Sequence, residues 1–574
     1  MLLKGNCAAP GIAVGRLFVY EKKSVEPGEG FVRPGEEQVH LDRYLKVRKQ
    51  AADRLEEFRL AVEKNDPEKA KIFEAHRAIV DDIVINEEIP AKITSEHCAG
   101  DWAIYQVYDT VLSMLRQVQD PLLAERVADF EDVRGLLLNL WHGKKDEGLS
   151  ALNEPVIIAA REILPSDTAA MDRTKVLAIL TEKGGVTSHA AIIAKSYGIP
   201  AVLGIAGLLE TVKQGQTAAI DAGEGTVIIE PDEETAKGYV KKSGAFLRDK
   251  AAAETFLKRE GRTADGVKIE VGLNIANASD EEMEAVQWAD SVGLFRTEFL
   301  YMGRSTLPTE DEQFSVYRKV LERFGKRPVI LRTLDIGGDK TLSSIEQKRE
   351  ENPFLGNRAL RFCFTHPEIS KTQIRAALRA SAYGNLWIML PMVGSLDDIR
   401  RAKEFIASTA EEMKRQGVKN EDIKTGIMIE IPSIALVADR AAKEVDFASI
   451  GSNDLCQYLC AADRMNSAVE PYYQSYHPAM FKLIKETVSA FNGAGKPISL
   501  CGELAADPLV SPVLIGLGMR KLSVGASSSA AAVKRSVASF TVKQAEDIAA
   551  DVLVFSTAAE VKEYLLGVNH RLRT

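Results

Sequence analysis

Residues 424–454, KTGIMIEIPSIALVADRAAKEVDFASIGSND, decide the fold. Two short apolar runs, 425–431 and 447–451, enclose a helical pattern, and each leads into polar chemistry. Glu430 closes the first, and Asn453 and Asp454 follow the second. A strand covered on both faces carries apolar residues almost continuously, as parallel strands do. Working outward, the same run recurs at 268–274, 291–295, 328–335, 386–393, 497–501 and 521–525, with helical patterns between. Eight such units over residues 263–574 predict a (β/α)8 TIM barrel, in which chemistry belongs at the C-terminal ends of the strands.

The strand ends can be inspected for that chemistry. Arg296 and Glu298 follow the second run, Arg332 and Asp335 close the third, and Cys501 and Glu503 follow the seventh. Arginine presents a planar fork that fits a phosphate or carboxylate. Magnesium is held by one or two carboxylates together with substrate oxygens. One such residue would read as a rim ion pair of an ordinary barrel. Their recurrence at successive strand ends argues instead for an anion-binding, metal-assisted site.

The first half has a different texture. Residues 1–30 read as short strands with turns. Over 31–144, Leu41, Tyr44, Leu45, Ala52, Leu55, Phe58 and Val62 recur at helical spacing, as do Trp102, Tyr105, Tyr108, Val111, Leu112 and Leu115. This predicts a helical bundle, with Pro67, Pro90 and Pro121 near helix boundaries. Strand texture resumes at EPVIIAA and VLAILTE, so the helices read as an insertion in an α/β domain made of 1–30 and 145–231. Residues 232–262 are charged, rich in Ala and free of Pro, as a linker helix would be.

Within the α/β domain, TEKGGVTSHAAIIAKSYGIPAVLG places a turn, then Thr187, Ser188 and His189 opening a helix that stops at Gly198. Backbone N–H groups and the dipole at such an N-terminus favour an anion. A neutral imidazole there can attack phosphorus. A capped helix with an incidental histidine fits the spacing equally well.

Composition narrows the classes. The chain has 574 residues, 45% hydrophobic and 27% charged, which excludes a disordered or fibrous protein. With 73 basic and 82 acidic residues, the net charge of −9 argues against a nucleic-acid binder. No run reaches the roughly 18 apolar residues that a membrane span needs. Cys7, Cys98, Cys363, Cys456, Cys460 and Cys501 do not form a disulfide framework. A soluble, cytoplasmic, multidomain protein is expected. Cys456 and Cys460 could offer two metal ligands, but core packing suits them better.

GGVTSHAAIIA resembles the phosphohistidine motif of enzymes that use phosphoenolpyruvate. GLFRTEFLYM, LRTLDIGGDK, NPFLGNRALRF, GIMIEIPS, IGSNDLCQYLCAADR and SLCGELAADP resemble the signatures of that family in order and spacing. The helical insertion, with KIFEAH and ERVADFEDVRGLLLNL, narrows the resemblance to the Enzyme I family of the bacterial phosphotransferase system. The resemblance implies a phosphohistidine domain at 1–30 and 145–231, a helical domain at 31–144 that docks the carrier HPr, and a linker helix at 232–262. Residues 263–574 would form the TIM barrel that binds phosphoenolpyruvate and makes a homodimer.

Residue by residue, it implies that His189 receives the phosphoryl group and that Arg296, Arg332, Arg464 and Asn453 bind the substrate. Glu430 and Asp454 would ligate Mg2+, with Asp454 also facing substrate, and Cys501 would protonate the departing enolate. The chain departs from the family at Asn357, where Trp is common, and in the Ser/Ala-rich segment 521–540. A pyruvate phosphate dikinase or a synthase would need an additional ATP-binding domain, for which no residues are left over. A non-catalytic scaffold would be expected to lack His189, Cys501 or the metal carboxylates. All are present.

Overall fold

The computed structural model describes residues 1–573 apart from 22–26, 34, 64–66, 118–120, 144–148, 150–151, 164–166, 168–170, 185–187, 303, 305, 339, 341, 343–344, 346–349, 419–420 and 422. The chain divides into two units, Met1–Leu247 and Arg248–Thr574.

In the first unit, β1 (Leu2–Lys4), β2 (Asn6–Ala9), β3 (Ile12–Tyr20), β4 (Val156–Ala160), β5 (Val176–Thr181), β6 (Ala201–Leu203), β7 (Thr217–Asp221) and β8 (Thr226–Ile229) form one sheet, ordered β1-β8-β7-β3-β4-β5-β6-β2. Strands β3 and β4 are parallel neighbours, Arg16 beside Val156 and Tyr20 beside Ala160. Among the described residues between them are five helices: α1 (Glu37–Glu63), α2 (Pro67–Val80), α3 (Ile83–Ser95), α4 (Gly100–Gln117) and α5 (Pro121–Trp141). Alternation splits β4 between two cores. Ile157 and Ala159 face one, while Ile158 and Ala160 face another that includes Ala190 and Ile193 of α6 (His189–Tyr197).

The helices bury a core of their own. On α1 its row is Tyr44, Val47, Ala51 and Leu55, a 3-4-4 spacing along one face. Leu45, expected in that row, is 48% exposed. The sequence pattern admitted a neighbouring row and passed over Val47 and Ala51. Val62 lies among residues whose side chains are not described. Pro67 and Pro121 each begin a helix, where a missing N–H costs nothing. Pro90, expected at a boundary, lies inside α3, whose start is fixed by the Asp82 carboxylate accepting from Ile85 N at 3.0 Å. The expected helix at 232–262 is α7, Glu233–Glu254, shorter at its C-terminal end.

The second unit is a closed barrel of parallel strands: β9 (Glu270–Ile275), β10 (Val292–Arg296), β11 (Val329–Arg332), β12 (Leu386–Leu390), β13 (Lys424–Ile429), β14 (Ala448–Gly451), β15 (Ile498–Cys501) and β16 (Lys521–Val524). The third strand stops at Arg332, three residues before the expected end, and Asp335 sits in the loop that follows. Ile388, Leu390, Ile427 and Ile429 face outward into the helix-covered core. The Ser/Ala-rich segment forms β16 and the helix Ser527–Val537. Its Lys534 is buried and donates to Leu257 O and Trp288 O, both at 2.8 Å. Among the described residues, no helix is long and apolar enough to cross a membrane.

Candidate active site

Alternation along the strands selects what enters the barrel. Leu294, Ile330, Met389, Met428 and Cys501 pack together inside it. Arg296, Arg332 and Glu430 each lie two residues beyond one of these, so they enter the same interior at its C-terminal end. Pairing sets Arg296 beside Arg332 and Gly451 beside Cys501.

Arg332 Nη2 lies 2.5 Å from Glu298 Oε1 and 3.0 Å from Asp335 Oδ2. Lys340 Nζ reaches the same two carboxylates at 2.8 and 3.1 Å. Arg358, fully buried, donates from Nη2 to Asp335 Oδ1 at 3.0 Å. Its Nη1 donates at 3.2 Å both to Asp454 Oδ1 and to the Tyr458 hydroxyl. Arg464 Nη1 stands 3.4 Å from the same Asp454 oxygen. Burial alone would drive these groups neutral. Mutual attraction overcomes it: the Glu298 and Asp335 carboxyls are held below their ordinary range despite burial, and the Arg332 and Arg358 pKa values are raised.

Arg296 stands outside this network. Its guanidinium lies 4.9 Å over the Phe299 ring, and among the described residues it has no hydrogen-bond or ion-pair partner. Burial lowers its pKa, although guanidinium remains charged at neutral pH. An unneutralised, half-buried cation beside a saturated one is a place for an anion that the protein does not itself supply.

Helix Ser452–Cys460 follows β14 directly and carries Asn453 and Asp454 in its first turn. Asn453 Oδ1 accepts from Glu503 N at 3.0 Å, tying two strand ends together. Gly502, at φ +93°, lets them approach: a Cβ there would come within 2.3 Å of Ser452 Oγ. The Cys501 thiol is 2% exposed and donates to Ile450 O at 3.4 Å. Burial pushes its pKa up to about 11, so at neutral pH it holds its proton.

Glu430 Oε1 accepts from Met392 N at 2.7 Å, whereas Oε2 is buried with no partner among the described residues. Burial, with Asp454 and Asp335 nearby, raises its pKa to about 8. A carboxylate orphaned in this way fits a divalent cation shared with Asp454. Among the described residues no three His, Cys, Asp or Glu gather into a protein-only cage.

Arg296, Arg332, Glu430, Asn453, Asp454, Arg464 and Cys501 thus share the barrel's C-terminal end. His189 is the first residue of α6 in the other unit, and Ala191 N donates to Ser188 Oγ at 3.4 Å. Thr187, expected beside it, lies outside the described residues. Sequence reasoning missed Lys340 and Tyr458 and gave Arg358 no role. All three lie in loops or helices after barrel strands, where position alone marks candidates. Asn357 turns aside, donating to Thr365 Oγ1 at 3.1 Å. Cys456 is buried and Cys460, four residues on, is half-buried, both as free thiols.

Three family models match the chain: the PEP-binding domain of PEP-utilising enzymes over 250–542, the mobile domain over 152–225 and the N-terminal region over 4–126. The chain is 38% identical over 576 residues to the phosphoenolpyruvate-protein phosphotransferase of Priestia megaterium, covering 99% of each. It is also 38% identical over 565 residues to that of Bacillus subtilis, covering 98% of this chain and 99% of the relative. A solution structure of Enzyme I (nEIt) aligns with 34% identity and TM-score 0.39, over 43% of this chain and 99% of that one.

Proposed function

Taking as premise that the chain belongs to the phosphoenolpyruvate-protein phosphotransferases, we propose that it moves the phosphoryl group of phosphoenolpyruvate to its own His189, releases pyruvate, and passes the group to a histidine of the carrier HPr. This would be the first step of sugar uptake by the phosphotransferase system. The observation that carries the reading is the contrast at the barrel mouth between Arg296, which has no hydrogen-bond or ion-pair partner among the described residues, and Arg332, neutralised by Glu298 and Asp335. The family assignment supplies the PEP-dependent phosphotransfer; the roles of individual residues are our inference.

Phosphoryl transfer needs little covalent help from a protein beyond its nucleophile. Positioning and charge stabilisation supply most of the rate. Arg296 offers a bidentate fork to the phosphate or carboxylate, and Arg332, Arg464 and Asn453 complete the cradle. Mg2+ held by Glu430 and Asp454 would neutralise charge on the substrate oxygens. A neutral His189 nitrogen attacks phosphorus, and the bond from phosphorus to the enol oxygen breaks with its electron pair leaving on oxygen. The Cys501 thiol, kept protonated by burial, delivers its proton to the enolate carbon and leaves pyruvate. The α1–α5 helices are the natural docking surface for the carrier, and the barrel the natural seat of a homodimer.

Incubation with phosphoenolpyruvate labelled in its phosphate tests the assignment. An acid-labile phosphohistidine should form in the wild type and vanish in His189→Ala; label persisting in the variant would overturn it.

A further inference from the structure

The barrel carries a second recess, on its outer wall. A cavity of about 340 Å3 opens between the helices Pro367–Ala380 and Leu396–Arg415. Sites for small ligands span roughly 300–1,000 Å3 and are mostly apolar with a few placed polar groups. Leu360, Phe364, Ile374, Leu390, Phe405 and Ile406 provide the apolar lining.

Two polar groups stand apart from it. Thr333 is only 5% exposed and lines the cavity, yet among the described residues its Oγ1 has no partner. A buried hydroxyl left in that state is destabilising unless a partner occupies the space. At the mouth, the exposed Arg401 guanidinium lies 4.0 Å over the Phe364 ring and has no carboxylate partner among the described residues. Glu404 stands one turn along on the same rim. A rim bearing both signs suits a single carboxylate better than a dianion.

The inner wall also backs the barrel mouth. Gln373, buried and lining the cavity, donates to Thr297 Oγ1 at 2.9 Å and accepts from Leu334 N at 2.8 Å. Thr297 Oγ1 in turn donates to Arg332 O at 2.8 Å. The cavity wall is thus hydrogen-bonded to the segment that bears Arg332 and Asp335.

We propose that this cavity binds a small monocarboxylate with a ring-sized apolar body. Its carboxylate meets Arg401, a hydroxyl or carbonyl at its far end meets Thr333, and its occupancy is transmitted through Gln373 to residues 332–335. The coupling rests on the reading of the barrel mouth given above; the binding does not.

The probe is 3-fluoro-4-hydroxyphenylacetate, followed by fluorine NMR on the full chain. Wild type should bind it and prefer it to the corresponding amide. Arg401→Gln should weaken the acid tenfold or more while leaving the amide unchanged, and Ala402→Phe, which fills the cavity, should abolish the bound signal. If Ala402→Phe does not fold, the Arg401→Gln comparison decides alone. Equal affinity of acid and amide, an unchanged affinity in Arg401→Gln, or complete displacement by phosphoenolpyruvate would overturn the site. Binding as described with no change in the phosphoenolpyruvate dependence of histidine labelling would overturn the coupling.

Discussion

The barrel mouth and the α1–α5 helices use the same ionic side chains in opposite ways. On the helices, Arg59 and Arg77 share Glu56 at 2.8 and 2.9 Å, and Arg48 meets Asp81 at 3.1 Å, all with water access. At the mouth, Glu298, Arg332, Asp335 and Arg358 are buried, and each serves more than one partner or is shared. Water replaces a lost partner in the first region. In the second, nothing does. Exposed pairs contribute about 0–1 kcal/mol, whereas removing one member of a buried set costs about 3–5 kcal/mol. Charge is dispensable detail in one region and architecture in the other.

Arg358→Met tests that contrast where the effect should be largest. It removes the cation shared by Asp335, Asp454 and Tyr458, leaving Asp335 to Arg332 and Lys340 and Asp454 to Arg464 in a buried set that has lost one of its positive charges. A loss of about 3–5 kcal/mol is expected in urea denaturation of the barrel, with histidine labelling lost as well. A loss below about 1 kcal/mol would place Arg358 with the surface pairs.

Arg296→Gln sharpens the contrast from within the mouth. Having no partner among the described residues, Arg296 can leave without stranding a charge, so stability should stay within about 0.5 kcal/mol of wild type. Binding should not. Charge-assisted hydrogen bonds contribute about 1.5–3 kcal/mol, so the phosphoenolpyruvate concentration needed for half-maximal labelling should rise roughly ten- to hundredfold. A variant that unfolds easily but labels normally would reverse the roles given to Arg296 and Arg332.

The two regions were also unequally legible from sequence. Buried parallel strands leave runs that cannot be mistaken for amphipathic helices, so all eight barrel strands stood out, and with them the strand ends that carry Arg296, Arg332 and Glu430. Helix faces were harder. Tyr44–Val47–Ala51–Leu55 and the row containing Leu45 are both apolar enough, and only packing against the other helices chooses between them. Pairing across distant segments was hidden for another reason. Arg358 meets Asp454 across 96 positions of sequence, and the approach depends on Gly337 at φ +106°, where a Cβ would fall 2.5 Å from that of Arg358. Spacing carries no record of such a meeting. Lys340 and Tyr458 were overlooked because a loop lysine and a helical tyrosine have many ordinary uses.

The smallest effect belongs to the helices and can be read through pH. Glu56 has its pKa lowered to about 2, chiefly by the hydrogen bonds from Arg59, with Arg77 adding to it. Its ordinary value is 4.5. A folded pKa below the unfolded one means stability that is fully present above about 4.5 and is lost as pH falls towards about 2. Glu56→Gln keeps the shape and removes the charge, so its melting temperature should lie slightly below wild type at pH 7. That gap should narrow as pH drops from about 5 towards 2. It should also shrink in 1 M salt, where the Debye length is about 3 Å. A salt-independent gap, or one as large as that of Arg358→Met, would show that the ion pairs of the helical region also lack the shelter of water, and the contrast between the two regions would fail.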